Sequence, residues 1–252
     1  MSQISKLLNK LTDRLVGIDA KFNSAIIVAG GSGTRAITNG STKQMTTILG
    51  VPVVAHTIST FESCPFINEI IVVAKKDEIS RYDEMQITYG WKKLVAVVAG
   101  GETRQESVFN GFKQISDRSD FVYIHDAARC LVTRDMIADV GHAAIFHGAA
   151  IAAHKASDTV KRLDDTKLST LDRNAIWLAQ TPQVFMTELY RAAAYTAAKD
   201  GVVATDDAMM AERLGFSVIP VECGTENMKI THPMDFVVAE AILNHRNSEV
   251  TS

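Results

Sequence analysis

Four short stretches of this chain carry residues whose types and spacing suit phosphate chemistry. The first is Gly30-Gly31-Ser32-Gly33, followed by Arg35 and Lys43. Glycines let the backbone turn through conformations closed to other residues, and they let main-chain N–H groups approach a ligand closely. Successive N–H groups in such a turn form a concavity suited to an anion, and two cations in the same loop could neutralise phosphate oxygens. The second stretch is Gly100-Gly101-Glu102, with Ser107 after it. The third is Asp126-Ala127-Ala128-Arg129, and the fourth is Asn227-Met228-Lys229. Several cations beside one strand-end carboxylate suit a nucleoside triphosphate with Mg²⁺, because hard metals prefer carboxylate and phosphate oxygens. Nucleophilic catalysis fits poorly, for there is no G-x-S-x-G elbow and no spacing that pairs a cysteine with a histidine.

Gly31, Gly33 and Ala36 also satisfy the dinucleotide fingerprint G-x-G-x-x-G/A. The context disagrees with it. Ile37–Thr42 reads as further loop where a helix should begin, and a helical pattern stands where a second strand should end in an acidic residue. A nicotinamide oxidoreductase stays open as an alternative, to be separated by binding of NAD rather than a nucleoside triphosphate. A catalytically silent nucleotide-binding protein is another, to be separated by diphosphate release.

The elements that must position these residues follow from the hydrophobic pattern. Ala25–Ala29 is a short apolar run and reads as a buried strand. Further strands are expected at Glu69–Ala74, Leu94–Ala99, Phe121–His125, Ala149–Ala153 and Ser217–Glu222. Helices are expected from Pro52, then over Thr103–Ile115, Asp135–Phe146, Thr187–Lys199 and Pro233–His245, with Thr205 capping another. Strands alternating with helices point to an α/β fold: a mostly parallel sheet covered on both faces, with ligands beyond the carboxyl ends of its strands. His154–Asp172 breaks this rhythm. It is polar and turn-rich, with short strands expected at Thr159–Lys161 and Leu168–Leu171, and reads as a hairpin arm leaving the sheet. Residues 1–22 place Ile4, Leu7, Leu8, Leu11 and Leu15 at helical spacing and read as a helical extension. Residues 23–246 form the domain and 247–252 a tail.

The 252 residues carry a formal net charge of −3, which gives no field for nucleic acid or an anionic membrane. No run reaches the ~18 apolar residues of a membrane span. Cys64, Cys130 and Cys223 form no C-x-x-C, which points away from a disulfide framework or zinc site and toward the cytoplasm.

Taken together, AGGSGTR, TKQ, AGGETRQESV, HDAAR, SDTVKR, LDRN, QTPQVF, ATDDA and ENMKITHPMD, in this order from Ala25 to about Ile242, resemble the 2-C-methyl-D-erythritol 4-phosphate cytidylyltransferase family. The resemblance implies a Rossmann-like nucleotidyltransferase sheet with a protruding β-arm, a homodimer joined through that arm, and Mg²⁺ held mainly by nucleotide phosphates. It implies that Arg35 and Lys43 stabilise charge at the α-phosphate of CTP. Ala29, Gly30, Gly31, Gly101, Glu102, Ser107 and Ala127 would surround the nucleotide, with Lys43 and Lys229. Asp126, Arg129, Thr159, Arg173, Thr181 and Thr205 would meet the sugar phosphate, with Asp126 in the metal region. Lys229 and Arg173 would position the attacking substrate, and Thr159 and Arg173 would serve the partner's site. The sequence departs from the family in having Thr42 and Cys130 where prolines are usual, and in a slightly longer loop before Lys43. A cytidylyltransferase for another polyol phosphate, such as D-ribitol 5-phosphate, is the nearest alternative. Ala127-Ala128 and Leu171–Asn174 favour methylerythritol phosphate over it.

Overall fold

The computed structural model describes residues 17–30 and 42–250. Seven strands form one sheet in the order β11-β7-β10-β6-β1-β4-β5. They are β1 (Asn23–Val28), β4 (Glu69–Ala74), β5 (Leu94–Ala99), β6 (Phe121–Asp126), β7 (Ala149–Lys155), β10 (Trp177–Met186) and β11 (Ile219–Glu222). All pairings are parallel except those of β10, which runs antiparallel to both β6 and β7. Two small antiparallel pairs stand apart: β2 (Thr47–Ile48) with β3 (Val51–Pro52), and β8 (Lys161–Asp164) with β9 (Lys167–Thr170).

The sheet is apolar on both sides because helices cover both. Side chains alternate along a strand, so β1 sends Ala25 and Ile27 to one face and Ile26 and Val28 to the other. The first face packs against α1 (Val53–Ser63), α2 (Ile79–Tyr89) and α4 (Arg134–His147), through residues such as Phe61, Tyr82 and Val140. The second packs against α3 (Arg104–Phe112), α5 (Thr187–Lys199) and α6 (Asp207–Arg213), through Val108, Phe112, Tyr190 and Met210. A third cluster joins Ile48, Leu131 and Ile230 to Ala239 on α7 (Pro233–Val250). Each large aliphatic side chain removed from water this way contributes about 1.5–3 kcal/mol.

The expected strands and helices are present, with several corrections. The longest strand, β10, was not foreseen. Its first three residues, Trp177–Ala179, are partly or fully exposed, it is broken in register between Ala179 and Gln183, and it contains a cis Thr181–Pro182 bond. Helix α2 was also unforeseen. Its polar face is long, and the buried side is carried by Tyr82. Thr103 proves to be the cap of α3 rather than its first residue, in a reciprocal capping box with Glu106. Thr205 does not cap α6. Asp206 does, its carboxylate accepting from Met209 N, while Thr205 stays exposed. The last helix continues past His245 to Val250. The hairpin arm is present as β8 and β9, starting two residues later than Thr159. Most of the expected N-terminal extension, residues 1–16, lies outside the described residues. The described part makes a single turn, Ile18–Ala20, with Ile18 buried.

Candidate active site

The carboxyl ends of β1, β4, β5 and β6 face one edge of the sheet, and a two-lobed cleft opens there. The first lobe, of about 350 Å³, is lined by Gly30, Lys43, Gly101, Glu102, Ser107 and others. The second, of about 290 Å³, includes Arg129, Gln180, Thr181, Thr205 and Asp206. Arg104, Asp126 and Lys229 line both and mark where the lobes meet.

Glycine is required where strand β5 ends. A Cβ on Gly101 would run into the Glu106 side chain, and one on Gly100 would lie 2.9 Å from Ser107 Oγ. The Gly100–Gly101 turn is thereby pressed onto the first turn of α3. Ser107 braces it: its Oγ accepts from Gly101 N at 3.1 Å and donates to Thr103 O at 2.8 Å. The Glu106 carboxylate accepts from Glu102 N at 2.8 Å.

Charge concentrates at the end of β6. Asp126 Oδ1 accepts from Arg104 Nε at 3.0 Å, and Oδ2 accepts from Lys229 Nζ at 2.6 Å. Burial would raise this carboxyl, but Arg104 and then Lys229 outweigh it and hold it far below the ordinary carboxylate range. Arg104 also donates from Nη1 to Asp207 Oδ2 at 2.7 Å. Beneath the carboxylate, Asp126 N donates to Thr181 Oγ1 at 3.0 Å, and that hydroxyl meets His125 Nδ1 at 3.1 Å. His125 Nε2 lies 3.2 Å from Arg129 O. One assignment satisfies all three contacts: Nε2–H donates to the carbonyl and Nδ1 accepts from Thr181. The imidazole is fully buried, and burial pushes it down to about 3, so it stays neutral.

Two further cations reach the same region from far along the chain. Lys43 Nζ donates to Ile230 O at 3.1 Å. Arg129 donates from Nη1 to Asn227 O at 2.8 Å and keeps a buried Nε–H without a partner. In the first lobe, Gln44 Oε1 is likewise buried and unpartnered. Each lobe therefore presents a polar group that a ligand could satisfy.

Of the residues expected at the site, Gly30, Lys43, Gly101, Glu102, Ser107, Asp126 and Lys229 share the first lobe. Asp126, Arg129, Thr181, Thr205 and Lys229 share the second. Ala29 and Ala127 are fully buried behind the wall, where Ala29 N donates to Val73 O and Ala127 N to Val28 O. Their neighbours Val28, Gly30 and Ala128 line the lobe in their place. Thr159 and Arg173 are exposed on the arm and line neither lobe, and Arg173 Nη1 donates to Ser157 O. Gly31 and Arg35 lie outside the described residues. Both oxygens of Asp126 accept from cations, so here it serves as their counter-ion. No group of three or more potential metal ligands occurs among the described residues. Burial raises all three thiols, Cys130 to about 12, which leaves them protonated and unreactive.

Sequence reasoning missed Arg104 and Asp207. Arg104 stands in the AGGETRQESV run, at the first position of a helix that follows a strand-end turn. That position was itself a signal. Asp207 resembled an ordinary first-turn acid and gave none.

A family model described as 2-C-methyl-D-erythritol 4-phosphate cytidylyltransferase matches residues 24–245. The chain belongs to this family. A relative of that name from Syntrophus aciditrophicus is 42% identical over 229 residues, covering 90% of this chain and 97% of the relative. Another from Caldanaerobacter subterraneus subsp. tengcongensis is 40% identical, covering 87% and 98%. Among solved structures, 4-diphosphocytidyl-2C-methyl-D-erythritol synthase from Anaerococcus prevotii superposes with a TM-score of 0.80 at 31% identity, covering 90% of this chain and 98% of that one. The mostly parallel sheet with helices on both faces agrees with this cytidylyltransferase family's solved structures. Among its described residues no helix is long and apolar enough to cross a membrane.

Proposed function

We propose that the chain transfers the cytidylyl group of CTP to 2-C-methyl-D-erythritol 4-phosphate, giving 4-diphosphocytidyl-2-C-methyl-D-erythritol and diphosphate. The observation that carries this reading, beyond family membership, is a cleft of two lobes that meet at one carboxylate clasped by two cations. A nucleotide fits the glycine-walled lobe. A phosphorylated polyol fits the lobe lined by Arg129 and Thr205. The relatives' shared name favours methylerythritol phosphate over ribitol 5-phosphate.

In this reading the phosphate oxygen of the polyol attacks the α-phosphorus of CTP. A new P–O bond forms as the bond to the bridging oxygen breaks, and diphosphate leaves with the electron pair. The attacking oxygen is already anionic, so no general base is required. Catalysis is then positioning and charge stabilisation. Lys43 is tethered to the Ile230 carbonyl, which aims its ammonium at the first lobe. Lys229 lines both lobes and in this reading would touch both phosphates. Arg35 is assigned to the α-phosphate by family resemblance alone. Mg²⁺, when bound, would supply neutralising charge at the nucleotide's phosphate oxygens, since the carboxylate where the lobes meet, Asp126, is already paired with two cations. The Leu163 and Leu168 side chains pair across the arm and are 61% and 63% exposed, which supports an arm that docks on a second copy. Thr159 and Arg173 would then reach the partner's second lobe.

The test is diphosphate release from CTP with methylerythritol phosphate and ribitol phosphate side by side. Release with the first and little with the second is expected. No release with either would end this reading.

A further inference from the structure

Asp207 lies outside both lobes, and yet it is tied to the residues that divide them. It is 1% exposed at the start of α6. Oδ2 accepts from Arg104 Nη1 at 2.7 Å, Oδ1 accepts from Tyr190 OH at 2.9 Å, and its backbone N–H donates to Gln183 Oε1 at 3.0 Å. Tyr190 is itself buried. Burial and then the Asp207 charge push its hydroxyl well above the ordinary range, so it remains a donor. Arg104 in turn donates through Nε to Asp126, whose other oxygen holds Lys229. An unbroken line of contacts thus runs from Tyr190 through Asp207, Arg104 and Asp126 to Lys229.

Resting on the reading of function given above, we propose that Asp207 is a positioning residue for cytidylyl transfer. It fixes the guanidinium plane of Arg104, and Arg104 then fixes the carboxylate that steers Lys229. Guanidinium suits this task because it is planar and presents its N–H donors in a rigid fork, so one edge can be anchored while another points elsewhere. Here Nη1 takes the anchor and Nε the carboxylate. A lysine ammonium could reach both carboxylates, but its three donors rotate freely and would not fix the two directions in one plane. Without the anchor, Arg104 keeps Asp126 as its one acidic partner among the described residues. It would turn toward that carboxylate, drawing it out of line with Lys229. A displacement of about 1 Å at a reacting centre can cost on the order of 10²-fold in rate.

The experiment compares D207N, Y190F, R104K and the double variant D207N/R104K, measuring kcat and KM for CTP and for methylerythritol phosphate, with thermal unfolding recorded for each. D207N is expected to lower kcat by about 10–100-fold while KM for CTP changes by less than about threefold. Y190F, which keeps every charge, should shift kcat in the same direction by a smaller factor, and it serves if D207N does not fold. Because Asp207 acts through Arg104, the double variant should be little worse than R104K alone. A folded D207N with wild-type kcat would overturn the proposal, as would effects of D207N and R104K that simply multiply. A crystal structure of D207N, or of Y190F should D207N not fold, reads the positioning without the reaction. If wild-type protein failed to release diphosphate, the functional reading would fall, while an Arg104–Asp126 pair unmoved in the variant would separately overturn the positioning role.

Discussion

Lys229 Nζ stands 2.6 Å from Asp126 Oδ2, joining residues 103 positions apart at the point where the two lobes meet. The pair keeps a flexible ammonium in place before any phosphate arrives. Asp126→Asn is expected to release Lys229 and Arg104 from their shared counter-ion and to lower turnover. It should also cost on the order of 1–3 kcal/mol of stability, allowing for the partial exposure of Lys229. Urea unfolding beside steady-state kinetics checks both effects.

Lys43 is held by the Ile230 carbonyl and is only 9% exposed. Lys43→Ala should reduce kcat by about 10²–10³-fold, the range expected for a preorganised donor to transition-state charge. CTP binding, followed by titration calorimetry, should weaken far less. Near-native turnover would remove Lys43 from the mechanism.

His125 gives the stability a pH dependence of defined sign. Burial lowers it from 6.5 to about 3 in the folded chain, so between these values the unfolded chain binds the extra proton. Stability must therefore rise with pH across that window and fall on acidification from about pH 6.5, by a few kcal/mol in order of magnitude. Asp126, held far below the ordinary carboxylate range, adds a loss of the same sign only at more acidic pH. Denaturant midpoints from pH 7 to pH 4 test this. His125→Asn should flatten the slope even though it lowers stability overall.

Helix α3 lies close on the sheet at Gly111, where a Cβ would come within 2.7 Å of both Ile26 Cγ2 and Val73 Cγ2. Gly111→Ala, otherwise a favourable helix substitution, is expected to destabilise by about 1–3 kcal/mol through overpacking. A raised melting temperature would contradict that packing.

The exposed Leu163–Leu168 pair on the arm gives a measurable expectation for assembly. Leu163→Asp together with Leu168→Asp should convert a dimer to a monomer in analytical ultracentrifugation. Turnover should drop with it if Arg173 serves the neighbouring cleft.

Much of this arrangement was legible in the sequence, because β1, β4, β5 and β6 are short apolar runs that stop abruptly at glycine, lysine or aspartate. Local pattern was sufficient to mark both the strand and the chemistry at its end. β10 escaped because half of it faces the polar root of the arm, and its reversed direction depends on partners distant in sequence. The Asp206 cap escaped because Thr205 and Asp206 are both good capping residues and only geometry chooses between them. Arg104 and Asp207 meet across 103 positions, a pairing that no local spacing could announce.

One short piece near the C-terminus closes the cleft. Asn227 supplies the carbonyl that receives Arg129, Ile230 the carbonyl that receives Lys43, and Lys229 the ammonium that meets Asp126. During synthesis every strand of the sheet leaves the ribosome before this piece does. A nascent chain can thus possess the whole sheet while its charged clasp is still open, and competence arrives late, with a handful of residues and the helix that follows them.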